Sequence, residues 1–315
     1  MFIEKRQVGK KTKYYLVHSY RVGKKVKKMR RFIGSDLTQE QLKKLVPIKE
    51  KQLLQRINAR KKITNPFVGV IDEEELEVIK DLEQKAGFSV FHLSEEEWER
   101  FTQLFTYNTN AIEGSELTQK EVIEALEDKP IPDKPEEDIS EAHGVDSAID
   151  YIRKSNPGFS IKLIKKLHYM VFKDSKNFAG EFRKKGEEAV IKTRTGKIVH
   201  RGAPPEEIVS ILNELVGWYK QNQKKYPPIV LASVVHNQFE NIHPFADGNG
   251  RVGRLLLNLV LLKHGLPPVN IDLDRREKYY ASLKEYEKEQ NIRPTIELIL
   301  SEYKALRKTL KKGDH

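Results

Sequence analysis

Two rhythms of apolar and polar residues divide this chain. Within residues 1 to 35, Tyr14, Tyr15, Val17 and Tyr20 are strand formers, "VGKK" can turn, and "VKKMRRFIG" can return as a second strand. A small β-meander of two or three strands is expected. From residue 38 the period becomes helical. "TQEQLKKLVPIKEKQLLQRINARKK" is amphipathic and is expected to be interrupted at Pro47. "DEEELEVIKDLEQKAG" opens acidic and stops at a glycine. Ser94, with Glu97 three residues on, forms a capping box for the next helix. Helical patterns follow over 118–127, 136–155, 160–173, 205–223, 228–241, 251–264, 274–289 and 294–311. "EEAVIKTRTGKIVH", 187 to 200, departs from them: two β-rich arms around Thr195-Gly196 predict a hairpin that must lean on helices. The fold class is mainly α, with a β-hairpin and an N-terminal meander. Three stretches are distinguished: a basic appendage over 1–35, a helical linker region over 36–69, and a main domain over 70–312.

Charge sharpens this division. The chain carries a net charge of +11, yet residues 1 to 35 alone hold twelve Lys/Arg against one acid, Glu4, so the remainder is balanced. The appendage could rest on nucleic acid phosphates, or its lysines could only protect strand edges. No aromatic-and-basic motif in the linear sequence singles out a base-reading module. Cysteine is absent, which excludes disulfides and thiolate chemistry. With neither an apolar run of membrane-spanning length nor a signal-peptide pattern, a cytoplasmic protein without membrane contacts is expected.

The densest chemistry lies in "IHPFADGNGRVGR", residues 242 to 254. Pro244 places His243 at the end of a helix, facing a loop. The next helix, "LLLNLVLLKHG", is apolar nearly all round and therefore buried. Its N-terminus follows Gly248, Asn249 and Gly250, so it offers unpaired N–H groups and the positive end of a dipole to an anion. Arg251 and Arg254 lie on one face and could contact different phosphates. Asp247 suits a Mg²⁺ shared with those phosphates, and His243 titrates near neutrality and suits a general base. Each residue has a bland alternative as turn or solvated cation; the whole set in this order is hard to explain that way. His236 and His264 are read as structural.

"HPFADGNGRVGR" resembles the core motif of the Fic family without a mismatch. "NFAGEFRKK", "IKLIKKLHYMVF" and "REKYYASL" resemble the segments around it, so the likeness covers about residues 70 to 310. The resemblance implies a helical Fic fold with a β-hairpin flap and transfer of AMP from ATP, with Mg²⁺, to a protein hydroxyl. It implies His243 as base, Asp247 as metal ligand, and Gly248, Asn249 and Gly250 as the anion nest. Arg251 would meet the inner phosphates and Arg254 the γ-phosphate. The flap near Val190, Ile191, Lys192 and Thr193 would cover nucleotide and pair with the target protein. Tyr279 and Tyr280 would lie near the nucleoside. The related Doc kinases carry lysine at Gly250; glycine favours AMP transfer.

"TNAIEG", 109 to 114, ends the helix opened by Ser94, with Thr109 and Glu113 four apart on one face. A glutamate in a last turn opposes its helix dipole, a cost of a few tenths of a kcal/mol, about what an ordinary surface residue tolerates. The stretch also resembles the family's inhibitory motif. That resemblance implies that the 94–113 helix is inhibitory and that Glu113 pairs with Arg254 and blocks the γ-phosphate. The leading expectation is an auto-inhibited protein adenylyltransferase. Removal of AMP by the same site, and a nucleic-acid-binding regulator that only senses ATP, are the alternatives. Transfer of another nucleotide or of phosphocholine, and a homodimer, are left open.

Overall fold

The structure is a computed structural model that describes residues 1–22, 25–67, 71–85, 93–184, 186–187, 190–192 and 198–311. It divides into two compact units, Met1–Pro66 and Phe67–His315.

In the first unit, strands β1 (Phe2–Val8), β2 (Lys11–Val22) and β3 (Lys25–Ser35) form an antiparallel sheet in sequence order. This is the expected meander, in its three-stranded form. Helix α1 (Gln39–Thr64) follows, opened by a capping box between Thr38 and Gln41. It runs unbroken through Pro47, contrary to the expected interruption. One proline removes a single helical hydrogen bond. Apolar residues on both sides of it repay that loss: Leu42, Leu45, Val46, Leu53 and Ile57 all pack with Leu16, Tyr20, Met29 and Ile33 of the sheet. The stretch expected as a linker is therefore the second layer of this unit.

The second unit contains ten helices among the described residues: α2 (Glu73–Lys85), α3 (Glu95–Glu113), α4 (Gln119–Leu126), α5 (Glu136–Ser155), α6 (Ile161–Phe172), α7 (Ile208–Asn222), α8 (Pro228–Ile242), α9 (Asn249–Lys263), α10 (Arg276–Glu289) and α11 (Arg293–Lys311). Strands β4 (Val190–Lys192) and β5 (Ile198–Arg201) pair antiparallel between α6 and α7, where the hairpin was expected. Its Thr195-Gly196 turn lies outside the described residues, as do Thr193 and the glycine expected to stop α2.

Helix α9 is the centre of this unit and packs on α3, α5, α6 and α8. Its residues Val252, Leu255, Leu256, Leu257, Leu259, Val260 and Leu261 are all buried, the all-round burial that its apolar composition predicts. It begins at Asn249, two residues earlier than expected. Gly248 thereby becomes its N-cap, and Gly250 stands in its first turn. No helix among the described residues is long and apolar enough to cross a membrane.

Candidate active site

The loop between α8 and α9 is shaped by its own sequence. Helix α8 ends at Ile242, and His243 caps it in the left-handed region, with φ 48° and ψ 61°. The reasoning from Pro244 anticipated the stop but not this conformation: Pro244 disfavours right-handed helix in the preceding residue, and His243 leaves it by reversing hand. Asn249 closes the loop from inside. Its side-chain oxygen accepts from the Phe245 N–H at 2.9 Å, and its amide donates to the Phe245 carbonyl at 2.9 Å. Gly248 has φ 77°, and a Cβ there would collide with the Phe172 ring. Only glycine meets both conditions.

Three residues that sequence reasoning did not single out fix this loop to its surroundings. His168, on α6, accepts the Gly180 N–H on Nδ1 at 2.8 Å, so its Nε2–H donates to the Asp247 carbonyl at 3.1 Å. Its ring stacks on Phe245 at 3.8 Å. Buried Arg183 donates to the carbonyls of His243 (2.8 Å), Ala203 (2.8 Å) and Glu187 (2.9 Å), tying the loop to the segments flanking the hairpin. Glu141, on α5, pairs with Arg251 and accepts from the Ser175 hydroxyl at 2.9 Å. Burial pushes the Glu141 carboxyl up against the pull of Arg251. The segments of His168 and Arg183 resemble the family as stretches, but only the shared focus of all three residues on one loop identifies them individually.

His168 carries a pH prediction. Burial lowers its pKa to about 4, and its native contacts need the neutral ring. The folded pKa is depressed, so stability is lost as pH falls below the unfolded value of about 6.5. A His168→Asn variant lacks this titration. Its stability deficit against the unaltered protein should therefore shrink by about 2 kcal/mol between pH 7 and pH 5. Paired urea melts at the two pH values measure this, and a constant deficit would refute it.

The site residues converge at the opening of α9. His243 Nδ1 lies 3.3 Å from the Glu240 carbonyl. A carbonyl only accepts, so this nitrogen carries the proton and Nε2 is the basic one. Asp247 holds the Gly248 N–H on Oδ1 at 2.7 Å, and its Oδ2 stands 3.8 Å from both Lys176 Nζ and Arg251 Nη2. Its side chain is 53% exposed. Arg251 is buried over the Phe172 ring, 4.5 Å from its centroid.

Arg254 is 2% exposed and held from four directions. Its Nε donates to Thr109 Oγ1 at 2.7 Å; its Nη2 donates to the Thr109 carbonyl at 2.9 Å and to Glu113 Oε1 at 2.7 Å. Its Nη1 reaches the Tyr279 hydroxyl at 3.2 Å. The four-residue spacing of Thr109 and Glu113 makes this grip. Partly buried Glu240 also lies near, and burial pushes its carboxyl up to about 8. A Cβ on Gly250 would collide with the Glu113 carboxylate. Glu113 thus opposes the dipole of its own helix but sits at the positive end of α9, which offsets that cost.

Tyr279 is buried beside Arg254, whereas Tyr280 is 40% exposed and donates to the Ile112 carbonyl at 3.3 Å. His236 is wholly buried on α8, and His264 Nε2 lies 3.1 Å from the Tyr219 hydroxyl. Val190, Ile191 and Lys192 form β4, with an irregularity in pairing between Ile191 and Lys192.

Known proteins share this architecture. The Fic/DOC family model matches residues 158–261. The chain is 31% identical over 229 residues to the protein adenylyltransferase fic-1 of Caenorhabditis briggsae, covering 70% of this chain and 44% of that protein. It thus spans less than half the length of that relative. A Fic-domain-containing signaling protein from Bacteroides thetaiotaomicron superposes with a TM-score of 0.65 at 24% identity, over 76% of this chain and 97% of that one. Fic-1 from Caenorhabditis elegans superposes with a TM-score of 0.63 at 23% identity, over 87% and 88%. The two structures share the helical fold, and the matched family segment contains the whole 243–254 loop: this chain belongs to the Fic/DOC family.

Proposed function

We propose that this chain is an auto-inhibited protein adenylyltransferase, which transfers AMP from ATP to a Ser, Thr or Tyr hydroxyl of a target protein. The observation that carries this reading is the position of Glu113. Its carboxylate stands against Gly250 at the opening of α9 while holding Arg254. An anion already occupies the place where helix N-terminus, glycine and arginine together suit a phosphate. The name of the nematode relative matches the same transfer.

In this reading His243 Nε2 accepts the proton of the target hydroxyl. The hydroxyl oxygen bonds to the α-phosphorus as the bond to the pyrophosphate leaving group breaks. The amides opening α9 and the guanidinium of Arg254 hold the phosphates, and Arg183 keeps the His243 backbone in place. The hairpin offers strand β4 as an edge on which the target's backbone can pair. Incubation of the Glu113→Gly variant with α-labelled ATP, Mg²⁺ and a protein extract tests the proposal: label should become covalently attached to protein and depend on His243. Nucleotide hydrolysis without protein labelling would refute it.

Asp247 fits a Mg²⁺ ligand. It is a half-exposed hard oxygen donor, and no cluster of three His, Cys, Asp or Glu surrounds it among the described residues. That suits an ion bound by one carboxylate and by phosphates. When bound, Mg²⁺ would offset phosphate charge. Asp247→Ala should slow transfer about a hundredfold at limiting Mg²⁺, with partial recovery in excess. Initial rates across a Mg²⁺ series measure this; rates indifferent to both the substitution and chelator would remove the assignment.

A further inference from the structure

We infer that the open face of the β1–β2–β3 sheet binds single-stranded nucleic acid, a function separate from adenylyl transfer. Pairing across the sheet sorts its residues. Leu16, Tyr20, Met29 and Ile33 pack on α1. The opposite face receives Tyr15 with its partners Glu4 and Phe32, Val17 with Phe2 and Arg30, Lys13 with Arg6, and Ser19 with Lys28. A register shift between Tyr14 and Tyr15 brings Phe32 opposite Tyr15. The two rings lie 5.5 Å apart, tilted by 57°. Phe32 is 47% exposed and Phe2 54%. Val17, paired with Phe2 and Arg30, is itself buried.

Cations surround these rings in fixed positions. Glu4 accepts from Arg6 Nε at 2.8 Å and from Arg30 Nε at 2.7 Å, one arginine on each carboxylate oxygen. The single acid of the appendage is thus spent orienting two guanidiniums. Arg6 also lies over the Tyr15 ring, 5.8 Å from its centroid. Lysines that merely protect strand edges would not require exposed aromatic rings on the sheet face. Rings at strand spacing among fixed cations match what a single strand presents: flat bases to stack, and phosphates along the backbone. A duplex hides its base faces and would use the cations alone. A membrane surface would use both, but half-buried Tyr15, wedged between Arg6 and Phe32, has little depth to insert.

The test uses the full chain and a fluorescent oligothymidylate of about twelve nucleotides. Binding should weaken with salt and should exceed binding to a duplex of equal length and to vesicles of anionic phospholipid. Phe32→Ala should weaken it about tenfold without altering the salt slope. Lys28→Ala should reduce that slope by about 0.7. Phe32→Trp keeps a ring there: it should retain affinity, and its fluorescence should be quenched by the oligonucleotide. That variant decides the matter if Phe32→Ala fails to fold. Absence of single-strand binding, equal or tighter binding of duplex or vesicles, or unquenched Phe32→Trp fluorescence would each overturn the inference.

Discussion

Replacing His243 with alanine in a Glu113→Gly background should lower AMP transfer about a thousandfold while ATP still binds. The two effects separate because different groups carry them. In the proposed reading the nucleotide's phosphates would meet the amides opening α9 and the arginines, none of which depends on the imidazole. The proton of the attacking hydroxyl has one poised acceptor, Nε2, because Nδ1 donates to the Glu240 carbonyl. Asp247 cannot substitute: it sits between Lys176 and Arg251 and already accepts from the Gly248 N–H. Initial rates with α-labelled ATP, set beside calorimetric ATP binding, measure both halves. Transfer that persists at the unaltered rate would show that His243 is not the base, whatever the binding data say.

Glu113→Gly alone should raise transfer by about a hundredfold and at the same time make the protein less stable by about 1 kcal/mol. The gain comes from competition for one cation. Arg254 is almost fully buried and anchored by Thr109 and Tyr279, so it cannot swing to serve two anions. While Glu113 holds Nη2 and stands against Gly250, the proposed inhibition would displace the γ-phosphate and take the α-phosphate out of line with His243. A misplacement of about 1 Å costs on the order of a hundredfold. The loss of stability comes from a partly exposed ion pair and from glycine in a last helical turn. Activity that rises as melting temperature falls distinguishes release of a block from general improvement of the fold. A site that uses Glu113 to remove AMP from a modified target would behave oppositely, losing that removal in the same variant. Unchanged labelling and unchanged ATP affinity would leave Glu113 an ordinary helix-end residue.

What the sequence disclosed depended on how local each feature is. The capping box at Ser94, the acidic helix starts and the glycine-rich turn are decided within a few residues, and the helices they predict begin within a residue or two of expectation. The pairing of Glu113 with Arg254 was legible only through a family resemblance, since 141 positions separate the partners. Glu141 lies in no such motif, and His168 and Arg183, though inside segments that resemble the family, were not singled out, although all three hold the same loop. Pro47 misled because a local rule was applied without the apolar contacts that override it. The aromatic face of the N-terminal sheet was hidden for another reason. Tyr15 and Phe32 meet through a register shift, and no linear pattern records a shift between strands.

The left-handed turn at His243 has an evolutionary consequence. A side chain with a Cβ costs about 1 kcal/mol in that conformation, whereas glycine adopts it freely. A library of this chain screened only for heat resistance would therefore drift toward glycine at position 243 and, in the proposed mechanism, lose the base. With His243 as the proposed base, only selection for the reaction itself would keep an imidazole in this left-handed turn.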